Sequence, residues 1–168
     1  MKFVSIDPSL SNTAIVWGKI VDGVIIPISW KVVSSTKSSK KMSVMEDRLN
    51  RIKDIFNAVD NVLDGINPDI TFGEYPSGSQ SSSASVSLGI SLSILAKLPN
   101  LTAVTPMDVK KVVGKGVVSK DDVMDYCVLN FPDFPFERKK DGTLVKARME
   151  HVADSIAIAL AGLKKLNK

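Results

Sequence analysis

The chain has 168 residues, close to the ~150 of a single domain, and is long enough to bury a core without disulfides or structural zinc. Lys and Arg number 22 against 18 Asp and Glu, a formal charge of +4 that does not fit an acidic disordered chain and is too weak alone to name a nucleic-acid partner. One cysteine (Cys127) excludes an internal disulfide framework or multi-cysteine zinc site, one histidine (His151) excludes a His-rich metal cluster, and no apolar run reaches membrane-spanning length. Asp7 brings a charge too early for a secretion signal, so a soluble cytoplasmic protein with no membrane partner is expected.

Residues 2–7 alternate, with Val4 and Ile6 on one face and Phe3, Ser5 and Asp7 on the other, which predicts a strand ending on an acid. Pro8 to Asn12 is turn chemistry, residues 13–20 read as a second strand, and Asp22-Gly23 marks a hairpin into a third strand over 24–33. A polar basic loop (34–41) precedes Met45, Leu49, Ile52, Phe56, Val59 and Leu63, the stripe of an amphipathic helix that Gly65 should stop. Residues 69–74 form a short strand that again ends on an acid, Glu74. The serine-rich run 76–85 leads into a helix of small and apolar residues, and residues 101–105 make a fifth strand. Thr105 with Pro106, and Ser119 with Asp122, open two further helices; a loop rich in Pro, Gly and charge (131–146) precedes a last helix over 147–165. The order βββαβαβααα predicts one α/β domain spanning 1–168, a five-stranded mixed sheet with its first three strands antiparallel and helices on both faces.

Asp7 and Glu74 end two different strands, and ligands of open α/β sheets gather at strand carboxyl ends. His151 and Asp154 are spaced i, i+3 on the last helix and share a face, while Val152, Ile156, Leu160 and Leu163 face inward. Together the four would form an oxygen-rich site suited to Mg²⁺ or Mn²⁺, because a divalent ion removes the repulsion of clustered carboxylates. Each also has an ordinary explanation. Asp7 before Pro8 can start a turn, Glu74 can end a strand beside solvent, and a lone helical histidine is more often satisfied or exposed than a ligand. Asp154 is harder to explain away, since an unpartnered acid in so apolar a helix is costly; Glu150 reads as a solvated neighbour. Lys110, Lys111, Lys115 and Lys120 form one basic run beside Gly114 and Gly116; Lys31, Lys37, Lys40 and Lys41 form a second, and Arg138, Lys139, Lys140, Lys146 and Arg148 a third. In a chain of only +4 this leaves acids concentrated elsewhere, as on the helix from Glu46 to Asp64, and the asymmetry favours a polyanion-binding face. Cys127 reads as core packing, Trp17 and Trp30 as core or dimer surface, and Phe131, Phe134 and Phe136 as anchors of their loop.

Four segments, in order, resemble the RuvC-type Holliday-junction resolvases of the RNase H-like (retroviral integrase) superfamily. They are Ser5 to Ala14 (SIDPSLSNTA), Phe72-Gly73-Glu74 with its helix, Thr105 to Gly116 (TPMDVKKVVGKG) with Ser119-Lys120, and His151 to Ala159 (HVADSIAIA). The resemblance covers essentially the whole chain, and compact members of this type occur in bacteriophages. It implies an RNase H-like fold, with Asp7, Glu74, His151 and Asp154 as catalytic and metal-binding residues and two Mg²⁺ per site, Mn²⁺ substituting. It also implies branched DNA as substrate, a homodimer, and paired hydrolysis leaving 5′-phosphate and 3′-hydroxyl ends; the apolar and small residues of the 83–98 helix make it the candidate interface. Lys110 and Lys120, with Lys111 and Lys115, would contact DNA. Tyr75 follows the catalytic Glu immediately, where the family places its junction-centre aromatic somewhat later. Alternatives are a broader branched-DNA nuclease cutting forks, flaps or three-way junctions, and a non-catalytic nucleic-acid-binding module. The segment Asp7 to Thr13 also resembles the phosphate loop of actin-like ATPases and sugar kinases, but the chain is too short for their second lobe.

Overall fold

In the computed structural model, which describes residues 1–35, 42–76, 82–114 and 119–167, the elements follow the expected order. Strand β1 (Lys2–Asp7) pairs antiparallel with β2 (Asn12–Val21), and β2 with β3 (Val24–Ser34). On its other side β1 pairs parallel with β4 (Ile70–Glu74), and β4 with β5 (Leu101–Val104), giving the sheet order β3-β2-β1-β4-β5. Asp22 and Gly23 both take positive φ (50° and 77°), so the predicted hairpin is the tight turn whose twist suits two adjacent strands. A bulge at Trp17/Gly18 brings backbone against backbone: a Cβ at Gly18 would lie 2.1 Å from the Ile26 carbonyl oxygen.

Two cores form on the two faces of the sheet. Phe3, Val16, Ile25, Phe72 and Val104 pack under α5 (Lys146–Leu166), with α3 (Pro106–Val113) and α4 (Lys120–Asn130) on the same side. Val4, Ile6 and Ile15 pack under α1 (Val44–Ile66) and α2 (Ser82–Ala96). Residues 3, 5 and 7 and residues 4 and 6 thus face opposite cores, as the alternation in β1 requires.

Thr105 and Ser119 open α3 and α4 as the sequence marks, and Ser43, which the sequence reading did not single out, opens α1 in the same way. Ser43, Thr105 and Ser119 each form a reciprocal capping box, with Glu46, Asp108 and Asp122. Two expectations for α1 are corrected. Gly65 lies inside the helix, which ends at Asn67 in the left-handed region (φ 49°). Met45 and Leu49, expected in the buried stripe, are exposed, because the buried face of the first turns is the one that carries Asp47; Ile55, Ala58, Val59 and Val62 carry the apolar burial further along. The 131–146 loop is anchored as expected: Phe134 is buried, Phe131 and Phe136 pack against the core, and the Trp30 indole donates to the Pro135 carbonyl (2.8 Å). Cys127 is fully buried, and burial pushes its thiol up to about 12.

Two contacts fix α5 against the sheet. Ser5 Oγ donates to the Ser155 carbonyl (2.7 Å) and Ser155 Oγ donates to the Ser5 carbonyl (2.8 Å), both fully buried. About two turns further on, a Cβ at Gly162 would lie 2.1 Å from Phe72 Cδ1. Phe72 is itself fully buried, so its ring can move aside only by displacing neighbours in a close-packed core. Gly162→Ala is therefore expected to destabilise the protein by about 1–3 kcal/mol, read as a lower urea midpoint at unchanged slope. An unshifted midpoint would show that the α5–β4 contact yields.

Candidate metal centre

The geometry follows from strand pairing. β1 and β4 are parallel neighbours with Ile6 opposite Gly73, so Asp7 and Glu74, one residue further on each, reach the same rim of the sheet. α5 crosses this rim with His151 and Asp154 one turn apart. His151 Nδ1 lies 3.2 Å from Asp7 Oδ2, and ligand atoms of Asp7, His151 and Asp154 all fall within 4.8 Å of one another. Glu74 shares a cleft of about 200 Å³ with Asp154, Lys110, Ser119 and Lys120.

The electrostatics show how close these acids are. Burial, then the charges of Asp7 and Asp154, push the Glu74 carboxyl up to about 7. Burial, then Asp7, push Asp154 up to about 6, against the pull of Lys120 and His151. The hydrogen bond to Asp7 raises His151 above its ordinary value. Two carboxyl groups and an imidazole within 4.8 Å of one another suit a hard divalent cation that tolerates one nitrogen donor; Glu74 lies outside this group but close enough to feel the charges of Asp7 and Asp154, and the repulsion among these acids is what such an ion relieves.

Of the predicted DNA-contacting residues, Lys120 stands at the centre: its Nζ is 3.9 Å from Asp154 Oδ2 and 3.8 Å from Glu150 Oε1. Lys110 lines the same cleft, whereas Lys111 turns to another, with Asp108, Lys164 and Lys165. Neighbours on one helix turn cannot share a face, so the run is split between two surfaces. Lys115 lies outside the described residues, as do Lys37, Lys40 and Lys41. Tyr75 is exposed beside Glu74, and its amide donates to the Val104 carbonyl (2.8 Å), extending the β4–β5 ladder. The third basic run is partly neutralised internally, Lys146 by Asp121 and Arg148 by Glu137.

Glu150 is more than the solvated neighbour expected. Its side chain is only 25% exposed, and Oε1 lies 3.5 Å from His151 Nε2. The imidazole therefore stands between two carboxylates, Asp7 at Nδ1 and Glu150 at Nε2, an arrangement that orients a ring presented to a metal. The i, i+4 spacing of Glu150 and Asp154 is the sequence signal for it.

No protein-family model matches the chain. The RuvC crossover junction endodeoxyribonuclease of Chlamydia abortus (strain DSM 27085 / S26/3) is 25% identical over 154 residues, 85% of this chain and 87% of the relative. Thermus thermophilus RuvC, solved in complex with Holliday junction substrate, superposes with a TM-score of 0.67 at 21% identity, covering 96% of this chain and 92% of that one. The yeast mitochondrial Holliday junction resolvase gives a TM-score of 0.64 at 17% identity, over 96% of this chain and 77% of that one. The Fowlpox virus resolvase, in complex with Holliday junction DNA, gives 0.59 at 17%, over 100% of both. The fold is the one these resolvase structures share, and the chain is similar in sequence to RuvC over most of its length.

In the metal-free protein the raised carboxyl groups make stability fall with pH. Their neutral forms favour the fold fully below the ordinary values of 3.8 and 4.5, and this contribution is lost as pH rises through about 6 for Asp154 and about 7 for Glu74. Glu74→Gln removes one acid from the cluster. In EDTA at about pH 8 it is expected to melt about 2–6 °C above the parent, and Mn²⁺ should raise the melting temperature of the parent much more than that of the variant. Equal melting at all pH values would show that Glu74 carries no such burden.

Proposed function

We propose that this chain is a structure-specific endonuclease that resolves four-way (Holliday) DNA junctions by paired, metal-dependent phosphodiester hydrolysis, leaving 5′-phosphate and 3′-hydroxyl ends. The observation that carries the reading is the convergence of Asp7, His151 and Asp154 within 4.8 Å at a sheet rim where Glu74 also ends its strand. Sequence similarity to RuvC supports the substrate class. The whole chain acts as one nuclease domain, in the cytoplasm where its DNA is found.

Asp7, Glu74, His151 and Asp154 would hold two Mg²⁺ ions, with Mn²⁺ able to substitute. When bound, such ions neutralise charge on the scissile phosphate and its leaving oxygen and make water a better nucleophile. The protein supplies the rest. Asp7 bridges the strand and helix contributions. Glu150 fixes the ring of His151, so that Nδ1 faces the cluster. Lys120 and Lys110, on the cleft beside Glu74, neutralise backbone phosphates, and Lys111 and Lys115 extend the basic contact along the same segment. Tyr75, exposed at the end of β4, offers a ring to a base at the branch point.

A homodimer suits a two-fold junction that must be nicked twice. α2 supports it: the helix carries no charged residue, yet Val86 and Leu92 on its outer side are exposed (39% and 44%). A helix apolar around its circumference is stable when covered on more than one side.

Three experiments test the reading. Asp7→Asn is expected to lower Mg²⁺-dependent nicking of a synthetic four-way junction about 10³-fold or more, with junction affinity kept within about threefold at fixed salt; nicking at the parental rate removes Asp7 from catalysis. Parental cleavage of three-way junctions as fast as four-way ones would favour the broader branched-DNA nuclease. Leu92→Glu should convert a dimer to a monomer by light scattering and uncouple the two nicks; an unchanged mass moves the interface elsewhere.

A further inference from the structure

The third basic run holds three cations, Arg138, Lys139 and Lys140, beyond the two that pair with acids at its root. Residues 137–145 form a short hairpin. The Val145 amide donates to the Glu137 carbonyl (2.9 Å), Arg138 and Leu144 pair as an antiparallel bridge, and the Lys139 amide donates to the Thr143 carbonyl (2.7 Å). Gly142 closes the turn at φ 83°, its amide on the Lys139 carbonyl (2.9 Å), and the Arg138 guanidinium donates to the Gly142 carbonyl (2.9 Å). The one acid of the tip is engaged within the turn: Asp141 Oδ1 accepts from the Thr143 amide (2.9 Å) and hydroxyl (2.6 Å). Arg138, Lys139 and Lys140 are exposed, and among the described residues neither lysine has an ion-pair partner.

The approach to this hairpin climbs the β3 edge of the sheet toward the rim. Residues 131–134 line a groove with residues 24–27 of β3. The Pro135 carbonyl then accepts from the Trp30 indole; Trp30 pairs with Val16, and Val16 with Ser5, two residues before Asp7. Glu137 is tied to α5 twice, its side chain to Arg148 and its amide to Met149 Sδ (3.2 Å), just before His151 on the same helix. Six helical residues from Val145 to His151 rise ~9 Å, and the tip extends four residues, ~13 Å, beyond the Glu137–Val145 pair. The three cations therefore lie within ~25 Å of the metal centre. Lys110 and Lys120 share their cleft with Glu74 of β4, and the sheet order places β3 and β4 on opposite sides of β1.

We propose that the 137–145 hairpin is a DNA-gripping finger: Arg138, Lys139 and Lys140 hold consecutive backbone phosphates of a junction arm on the β3 side of the metal centre, opposite Lys110 and Lys120. The proposal rests on the nuclease reading for DNA as the polyanion. Three successive residues span ~7–10 Å of chain, and a DNA strand carries one charge per ~3.4 Å of axis, so the tip meets two or three neighbouring phosphates. Its own hydrogen bonds order the turn before DNA arrives, which lowers the entropy cost of binding. The contacts of Glu137 join its root to the helix that carries His151 and Asp154, so a phosphate held at the tip stands at a fixed offset from the metal centre.

The test reads binding in EDTA, separately from cutting. Lys139→Ala/Lys140→Ala is expected to bind a synthetic four-way junction about tenfold more weakly than the parent, with a log–log salt slope shallower by about two. Lys139→Arg/Lys140→Arg should bind as the parent does, and matched melting curves show that the fold is kept. Lys19→Glu makes the same change of charge opposite Lys2, at the far end of β1, and should alter affinity less than about twofold; an equal loss there means bulk charge and overturns the finger. A window of three neutral methylphosphonates is then moved outward along each arm. One window within about eight nucleotides of the branch point should weaken the parent about tenfold and the alanine variant not at all. Losses that simply multiply, or parental affinity in the alanine variant, refute the proposal. A parent that nicks junctions with no such window leaves the nuclease reading standing and the finger refuted. A parent that shows the coupled window but nicks nothing in Mg²⁺ or Mn²⁺ does the reverse, and one that binds no junction refutes both.

Discussion

The site depends on where α5 sits along β1, and two buried serines set that position. Each of Ser5 and Ser155 gives its hydroxyl to the other's carbonyl, so strand and helix are joined by a reciprocal pair in which each bond requires the same registration. Sliding α5 by one residue would break both bonds and leave buried hydroxyls unsatisfied, each at a cost of about 1–3 kcal/mol. Asp154 precedes Ser155 directly, and His151 stands one turn before that, so the latch also fixes these side chains over the end of β1. Gly162 lets the same helix lie against Phe72 further along. The helix is thereby held at two points, and the imidazole meets Asp7 at 3.2 Å rather than half a turn away.

That rigidity forces together groups that repel. Glu74 and Asp154 are each desolvated and each face the charge of Asp7, and both are held more protonated than free carboxylic acids. In the metal-free protein the cluster is a source of strain that the two cores must offset, a common feature of sites organised for function rather than for stability. Lys120 relieves part of it from one side, at 3.9 Å from Asp154. The same ammonium group cannot approach Asp7 and Glu74 equally, so the repulsion persists where a divalent ion would sit.

The order of elements, the caps of α3 and α4 and the acids at two strand ends were legible in the sequence because each is a local pattern: alternation, turn residues, a cap three residues from its acid. That the candidate ligands could meet was read from acids at two strand ends and a shared helix face, and the family resemblance pointed to the same four residues. Their meeting depends on β1 pairing with β4 and on α5 returning across both, contacts between residues more than 60 positions apart that no periodicity encodes. What escaped the sequence reading was direction. Lys110 and Lys111 are adjacent in a basic run but point into different clefts. Glu150 looked solvated until His151 was found beside it. Arg48 and Arg51 line a cleft between α1 and α2 but were hidden by the acids around them, since net charge along a helix says nothing about which face carries which sign.

α2 explains why its own segment was hard to read. Ile90, Ile94 and Leu95 face the core, Ala84, Ser87, Leu88 and Ser91 face the cleft, and Val86 and Leu92 face outward. Three surfaces around one helix erase the single apolar stripe that marks an amphipathic helix, and serine is the residue that suits all three. It is small enough for close packing, it can return its hydroxyl to a carbonyl as Ser93 does to Gly89, and it can offer that hydroxyl to a cleft. A composition that suggests a linker is therefore what a helix needs when it packs on a sheet, lines a cleft and keeps a partly apolar outer side, without any of the three surfaces intruding on another.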